Sequence, residues 1–118
     1  MNGHISISLE YRTSKAVLIG TVMSEKTVPE TTDGFFEDGT TYRVRVDRTF
    51  RGDLPATVDI FSENTSGRFP MDIGSKYLMF AYAAHDRLLI DYCGNSGLLS
   101  KSSQALQQVE KLAQKRAN

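Results

Sequence analysis

The sequence predicts a mainly β domain, five strands closed into a small barrel, with a C-terminal α-helix and a short helix before the first strand. Three observations predict it. Five β-rich runs follow one another without the intervening helices that a parallel βαβ sheet needs. Gly20 sits inside the first run, where a bulge or the sharp coil of a barrel strand uses a glycine. The last stretch, Gln104 to Arg116, changes to helical spacing. With 118 residues and no linker or internal repeat, the chain reads as one domain, 1–118.

Each element has a local cause. A short helical turn is expected around Leu9 to Ser14. Lys15 to Ser24 is a β-branched, apolar run of strand length. The insertion that follows, Glu25 to Thr40, exceeds an ordinary hairpin loop. From Thr41 to Arg51, Tyr42, Val44 and Val46 alternate with Arg43, Arg45 and Asp47, the mark of a half-buried strand. Arg48 breaks the pattern by falling on the apolar parity, so the strand either bulges there or has left the core. Gly52-Asp53-Leu54-Pro55 is a turn, and Ala56 to Ser62 a strand with Val58 and Ile60 on one face. Glu63 to Gly74 is irregular. Lys76 to Ala84 and Leu88 to Cys93 form a hairpin about His85-Asp86-Arg87. The run from Tyr77 to Ala84 is apolar at both parities, which predicts a strand covered on both faces. In the final helix, Ala105, Leu106, Val109, Leu112 and Ala113 share a face, with Ser102 or Ser103 at its start to cap it.

Charge narrows the function classes. Lys plus Arg and Asp plus Glu number 14 each, so the chain lacks the excess of positive charge that backbone binding to nucleic acid uses. Its 40% hydrophobic content excludes a disordered tail, and its longest apolar runs are too short to cross a bilayer. Arg43, Arg45, Arg48 and Arg51 still cluster on or near one strand, and Tyr42, Phe50, Phe61 and Tyr77 are candidate stacking platforms. A solvated strand face with its arginines paired to nearby carboxylates is the favoured reading of that stripe.

No catalytic or cofactor motif stands out, and no metal is predicted. Cys93 and His85 suggest a nucleophile and base, but the hairpin puts one in the turn and the other about eight residues along a strand, roughly 25 Å away. Cys93 reads instead as a small buried hydrophobe or an unpaired structural thiol. His4 and His85 are the only histidines, and the acids Glu30, Asp33, Glu37 and Asp38 do not follow a calcium-loop pattern. Phe35 and Phe36, flanked by Gly34 and by Glu37 and Asp38, have no strand or helix period. They either tuck back onto the barrel, the favoured reading, or form an exposed patch for a partner. Asn64-Thr65-Ser66 is a glycosylation sequon, meaningful only in a eukaryotic secretory setting. The first residues, Met-Asn-Gly-His-Ile-Ser-Ile-Ser, carry no basic segment followed by an apolar one, so they do not read as a signal peptide.

Four segments, in order, carry a family resemblance: Ala16-Val17-Leu18-Ile19-Gly20-Thr21-Val22; Tyr42-Arg43-Val44 running to Phe50-Arg51-Gly52; Gly74-Ser75-Lys76-Tyr77-Leu78-Met79-Phe80-Ala81; and Cys93-Gly94. From about Tyr11 to Leu112 the chain resembles bacterial proteins similar to the N-terminal domain of tissue inhibitors of metalloproteinases, the netrin-like group. The resemblance implies a five-stranded OB-fold (Greek-key) barrel with flanking helices. It implies a non-enzymatic module that binds a protein partner, a protease among the candidates, with no cofactor. The inhibitors chelate the protease's zinc through an N-terminal Cys-x-Cys, and residues 1–14 here hold no cysteine. Cys93 carries over only as the bridge cysteine with a missing partner. The same resemblance implies a secreted or periplasmic site if a leader was removed, and a cytoplasmic one otherwise. The expected contact surface is the Glu25 to Thr40 loop, with Phe35, Phe36, Glu37 and Asp38. The alternative is an OB-fold module that binds single-stranded nucleic acid or oligosaccharide on the barrel face.

Overall fold

Alternating apolar side chains give one curled sheet two buried faces, one turned into a barrel and one lying under helices. The computed structural model describes residues 6–28, 39–63, 68–84, 87–91 and 94–117, with backbone only at 27, 28 and 115–117. Along the chain come α1 (Ile7–Thr13), β1 (Ala16–Val28), β2 (Gly39–Arg51), β3 (Thr57–Glu63), β4 (Lys76–Ala84), β5 (Arg87–Leu89) and β6 (Gly97–Leu98). A 3₁₀ turn at Leu99–Lys101 leads into α2 (Ser103–Ala117).

β1 pairs antiparallel with β2, from Val17 opposite Arg51 to Val28 opposite Gly39. On its other edge it pairs with β4, from Ala16 opposite Ala81 to Thr21 opposite Lys76. β2 pairs with β3, and β5 joins β4 antiparallel and β3 parallel. The order β1-β2-β3-β5-β4 and back to β1 closes five strands into the expected OB-fold barrel. β6 is an addition that periodicity did not indicate, two residues laid against Tyr77 and Leu78 of β4. β5 covers Arg87–Leu89, and Ile90 carries the pairing with β3 one bond further through its N–H to the Phe61 carbonyl at 3.0 Å; residues 92 and 93 of the expected run to Cys93 lie outside the described residues.

The misplaced parity of Arg48 is a bulge. Gly20 faces Val46 and Ile19 faces Arg48, so Asp47 is an extra residue in β2. One extra residue exchanges the two faces of the strand. Arg48 therefore turns outward, where its Nη1 donates to Glu110 Oε2 of α2 at 2.9 Å and its guanidinium lies 4.5 Å over the Phe50 ring. Gly20 stands opposite this bend, because a Cβ there would overlap Val44 Cγ1 and lie 3.1 Å from the Arg45 carbonyl oxygen.

β1 and β4 divide their residues between two cores. Leu18, Val22, Tyr77 and Met79 point into the barrel with Val44 and Ile60, whereas Val17, Ile19, Leu78 and Phe80 lie under the helices with Tyr11 and Val109. β4 is thus buried on both faces, as its apolar run predicts. Each such side chain contributes about 1.5–3 kcal/mol by leaving water. The irregular segment after β3 seals one barrel end: Phe69 and Met71 enter the core, and its backbone N–H groups donate to side chains. Phe69 N donates to Ser62 Oγ at 2.8 Å, Met71 N to the Tyr42 hydroxyl at 3.0 Å and Asp72 N to the Tyr77 hydroxyl at 2.8 Å.

α1 is short, so tertiary bonds hold it. Ser6 caps its start by accepting from Leu9 N at 3.1 Å. Arg51 donates to the Ser14 and Arg12 carbonyls at its end, and the Tyr11 hydroxyl donates to the Phe50 carbonyl at 3.0 Å. At the start of α2, Ser102 lies in the cap position and its carbonyl accepts from Leu106 N. Its hydroxyl, however, donates to the Leu98 carbonyl at 2.7 Å.

Candidate functional site

The described part of the expected contact surface is the ribbon that carries it. Beyond Thr21, where its pairing with β4 ends, β1 stays paired with β2 from Ser24 opposite Arg43 to Val28 opposite Gly39, while the same stretch of β2 pairs with β3 on its other edge; residues 29–38 connect β1 to β2. Phe35, Phe36, Glu37 and Asp38 lie in that connection and are outside the described residues, as are Cys93, His85 and His4. Beside the root of the ribbon two large apolar side chains are exposed, Met23 at 50% and Ile73 at 59%. The backbone joins their neighbourhoods, since Gly74 N donates to the Val22 carbonyl at 2.8 Å.

The arginine stripe is engaged by the fold. Arg43 meets Asp59 at 3.2 Å, Arg45 meets Asp47 at 2.9 Å and Arg48 meets Glu110 at 2.9 Å. Arg51 closes α1, with its guanidinium 5.7 Å from the Tyr11 ring centre. The candidate stacking platforms are withdrawn too. Tyr42, Phe61 and Tyr77 are each 4% exposed, and Phe50 lies under the Arg48 guanidinium. Stacking on a base needs an open ring face, which these four do not present.

A polar cluster that sequence spacing did not bring together forms at the Asp47 bulge. Thr21 Oγ1 donates to Asp47 Oδ2 at 2.6 Å, and Arg45 Nε donates to Asp47 Oδ1 at 2.9 Å. Lys76 Nζ reaches Thr21 Oγ1 at 3.0 Å and Asp47 Oδ2 at 3.3 Å. The Thr21 hydroxyl above all holds the Asp47 carboxyl below its ordinary value; burial pushes the other way, and hydrogen bonds from Arg45 and Lys76 add to the lowering. A carboxylate so stabilised is a weak base, and the Thr21 proton already lies on it. The arrangement joins β1, β2 and β4 rather than activating a nucleophile. Residues 21, 47 and 76 share no motif, and only the parity break beside Asp47 marked the place in the sequence.

Two further hollows open on the described surface. A hollow of about 610 Å³ lies between Ile7, the 94–98 segment and the start of α2. A cleft of about 740 Å³ opens between the start of β3 and the facing ends of β4 and β5. Among the described residues no three of His, Cys, Asp and Glu come together as metal ligands, and no helix is long and apolar enough to cross a membrane. Comparison with protein-family models and with curated proteins gives no match.

Proposed function

We propose that the chain is a non-enzymatic protein-binding module, of the inhibitor-like kind its strand motifs resemble. It meets its partner through the loop at the end of the β1–β2 ribbon. The observation that carries this reading is how the fold uses its polar and aromatic groups. The barrel interior is filled by its own side chains, the four arginines of the stripe are engaged, and the four candidate stacking rings, Tyr42, Phe50, Phe61 and Tyr77, are covered. The paired ends of β1 and β2, flanked by β3 on the β2 side, lead into a segment bearing Phe35 and Phe36, and that segment is the contact surface of this proposal.

The experiment is a capture assay with wild-type protein and a Phe35→Ala/Phe36→Ala variant, alongside titration with oligothymidylate at low salt. The reading expects the variant to lose the captured partner while melting like wild type, with no salt-dependent oligonucleotide binding. Equal capture by the variant sinks it. Oligonucleotide binding with a salt slope replaces it with the nucleic-acid reading.

A further inference from the structure

β1 has an open edge beyond the point where β4 leaves it. Val46 N donates to the Ala56 carbonyl at 2.8 Å, so Thr40, Tyr42 and Val44 turn their backbone groups to β3. Backbone groups alternate between the two edges of a strand. Gly39, Thr41 and Arg43 therefore serve β1, where they lie opposite Val28, Lys26 and Ser24. The N–H and carbonyl of Glu25 and of Thr27 are left on the outer edge of β1. Pairing with β4 ends at Thr21, and Val22 is then met by the turn before β4: its N–H donates to the Ser75 carbonyl at 3.1 Å and its carbonyl accepts from Gly74 N at 2.8 Å. Beyond Val22 no described backbone group meets this edge.

The side chains along the edge say what fits it. Glu25 and Lys26 are successive strand residues, so they project from opposite faces. Both are exposed, and neither makes an ion pair among the described residues. At the inner end Met23 and Ile73 are exposed apolar side chains beside the turn that Ser75 N closes on the Asp72 carbonyl at 3.2 Å. A second copy of the chain matches this edge badly. The antiparallel register that uses Glu25 and Thr27 of both copies sets Lys26 against Lys26, and the register centred on Glu25 sets two carboxylates together. The occupant must instead carry the opposite charge order.

We propose that the outer edge of β1, from Ser24 to Val28, takes an extended peptide as an added antiparallel strand, one with an acidic residue directly followed by a basic one. The peptide backbone supplies the donors and acceptors that Glu25 and Thr27 lack, as in other strand-addition complexes. Running antiparallel to β1, its acidic residue lies opposite Lys26 and its next residue, basic, opposite Glu25. An apolar residue after these lies opposite Ser24, next to Met23 and Ile73. This edge goes beyond the contact assigned to the 29–38 segment. Peptide binding reads the edge and partner capture reads Phe35 and Phe36, so either proposal can fail without the other.

The test is fluorescence titration with a labelled, end-blocked peptide, Val-Thr-Glu-Lys-Leu. Its isomer Val-Thr-Lys-Glu-Leu has the same composition with the charges exchanged. The first should bind, and the isomer should bind roughly tenfold more weakly, because two attractive cross-strand pairs become two repulsive ones. In the variant Glu25→Lys/Lys26→Glu the preference should reverse. Methylating the backbone nitrogen of the peptide's lysine removes the N–H that faces the Glu25 carbonyl and should weaken binding roughly tenfold. Methylating the neighbouring glutamate nitrogen, which faces away, should cost far less. A thermal melt shows that the variant is folded, and the methylated peptides carry the test on the wild-type protein if it is not. No binding of the first peptide, equal binding of its isomer, an unchanged preference in the folded variant, or equal effects of the two methylations each overturns the proposal.

Discussion

Gly20→Ala tests whether β1 must pass β2 as closely as the bulge at Asp47 requires. The new Cβ would overlap Val44 Cγ1 and lie 3.1 Å from the Arg45 carbonyl and 3.4 Å from Leu18 Cδ1. Carbon atoms prefer about 3.5–4.0 Å, so Val44 or the strand must move. Overpacking a well-filled core costs about 1–3 kcal/mol, and the stiffer unfolded chain returns about 0.4–1 kcal/mol. The net loss is then about 1–2 kcal/mol, or about 4–8 °C in a thermal melt for a domain of this size. The cause is isolated by a second change. Val44→Ala removes the overlapping methyl and alone costs about 2 kcal/mol. In the double variant the methyl added at position 20 occupies part of the space Val44 gave up, so the two losses should fall short of additivity by about 1 kcal/mol. Urea unfolding of the four proteins measures this. A Gly20→Ala variant as stable as wild type, or strictly additive losses, would refute the close approach.

Two other predictions concern the bonds that join the elements. The Asp47 carboxyl is held below its ordinary value of 3.8, so its charged form stabilises the fold fully above that value. That contribution is lost as pH falls through the lowered folded value. Asp47→Asn should therefore be less stable than wild type at neutral pH, and the gap should close in acid; a gap that stays constant from neutral pH into acid contradicts this. Glu10 Oε1 accepts from the backbone N–H of Asn95 at 2.6 Å and from its side chain at 2.9 Å, which ties α1 to the segment before β6. Glu10→Ala should cost about 1–2 kcal/mol and speed amide exchange in Ile7–Thr13, and unchanged exchange there counts against the tie.

The barrel was legible in the sequence wherever burial followed a simple period. Tyr42, Val44 and Val46 marked β2, and the double-parity run after Lys76 marked a strand between two cores. Even the exception was readable, since Arg48 on the wrong parity is what a bulge leaves behind. Elements that depend on a single distant bond were not readable. Phe69 and Met71 sit in a stretch without period, and they are buried because the Ser62, Tyr42 and Tyr77 hydroxyls accept their segment's backbone N–H groups. β6 exists only because β4 has an edge to spare. The stacking platforms were misjudged for a related reason. Tyr42 and Tyr77 lie on the core parity, and their hydroxyls are used at the sealed end of the barrel. The arginine stripe was read correctly as paired, but its partners Asp59, Asp47 and Glu110 come from three different elements. The 29–38 connection was legible only as length and two adjacent phenylalanines, because a stretch without period does not declare which way its rings point.

A partner met at the end of the β1–β2 ribbon, and not on the helical side, leaves a mark that can be read by position. A photo-crosslinking residue is placed at Phe36 in one protein and at exposed Gln108 of α2 in a second. Contact through the ribbon predicts a covalent adduct with the captured partner from position 36 and none from position 108. An adduct at 108 with none at 36, while the partner still co-purifies, would contradict it.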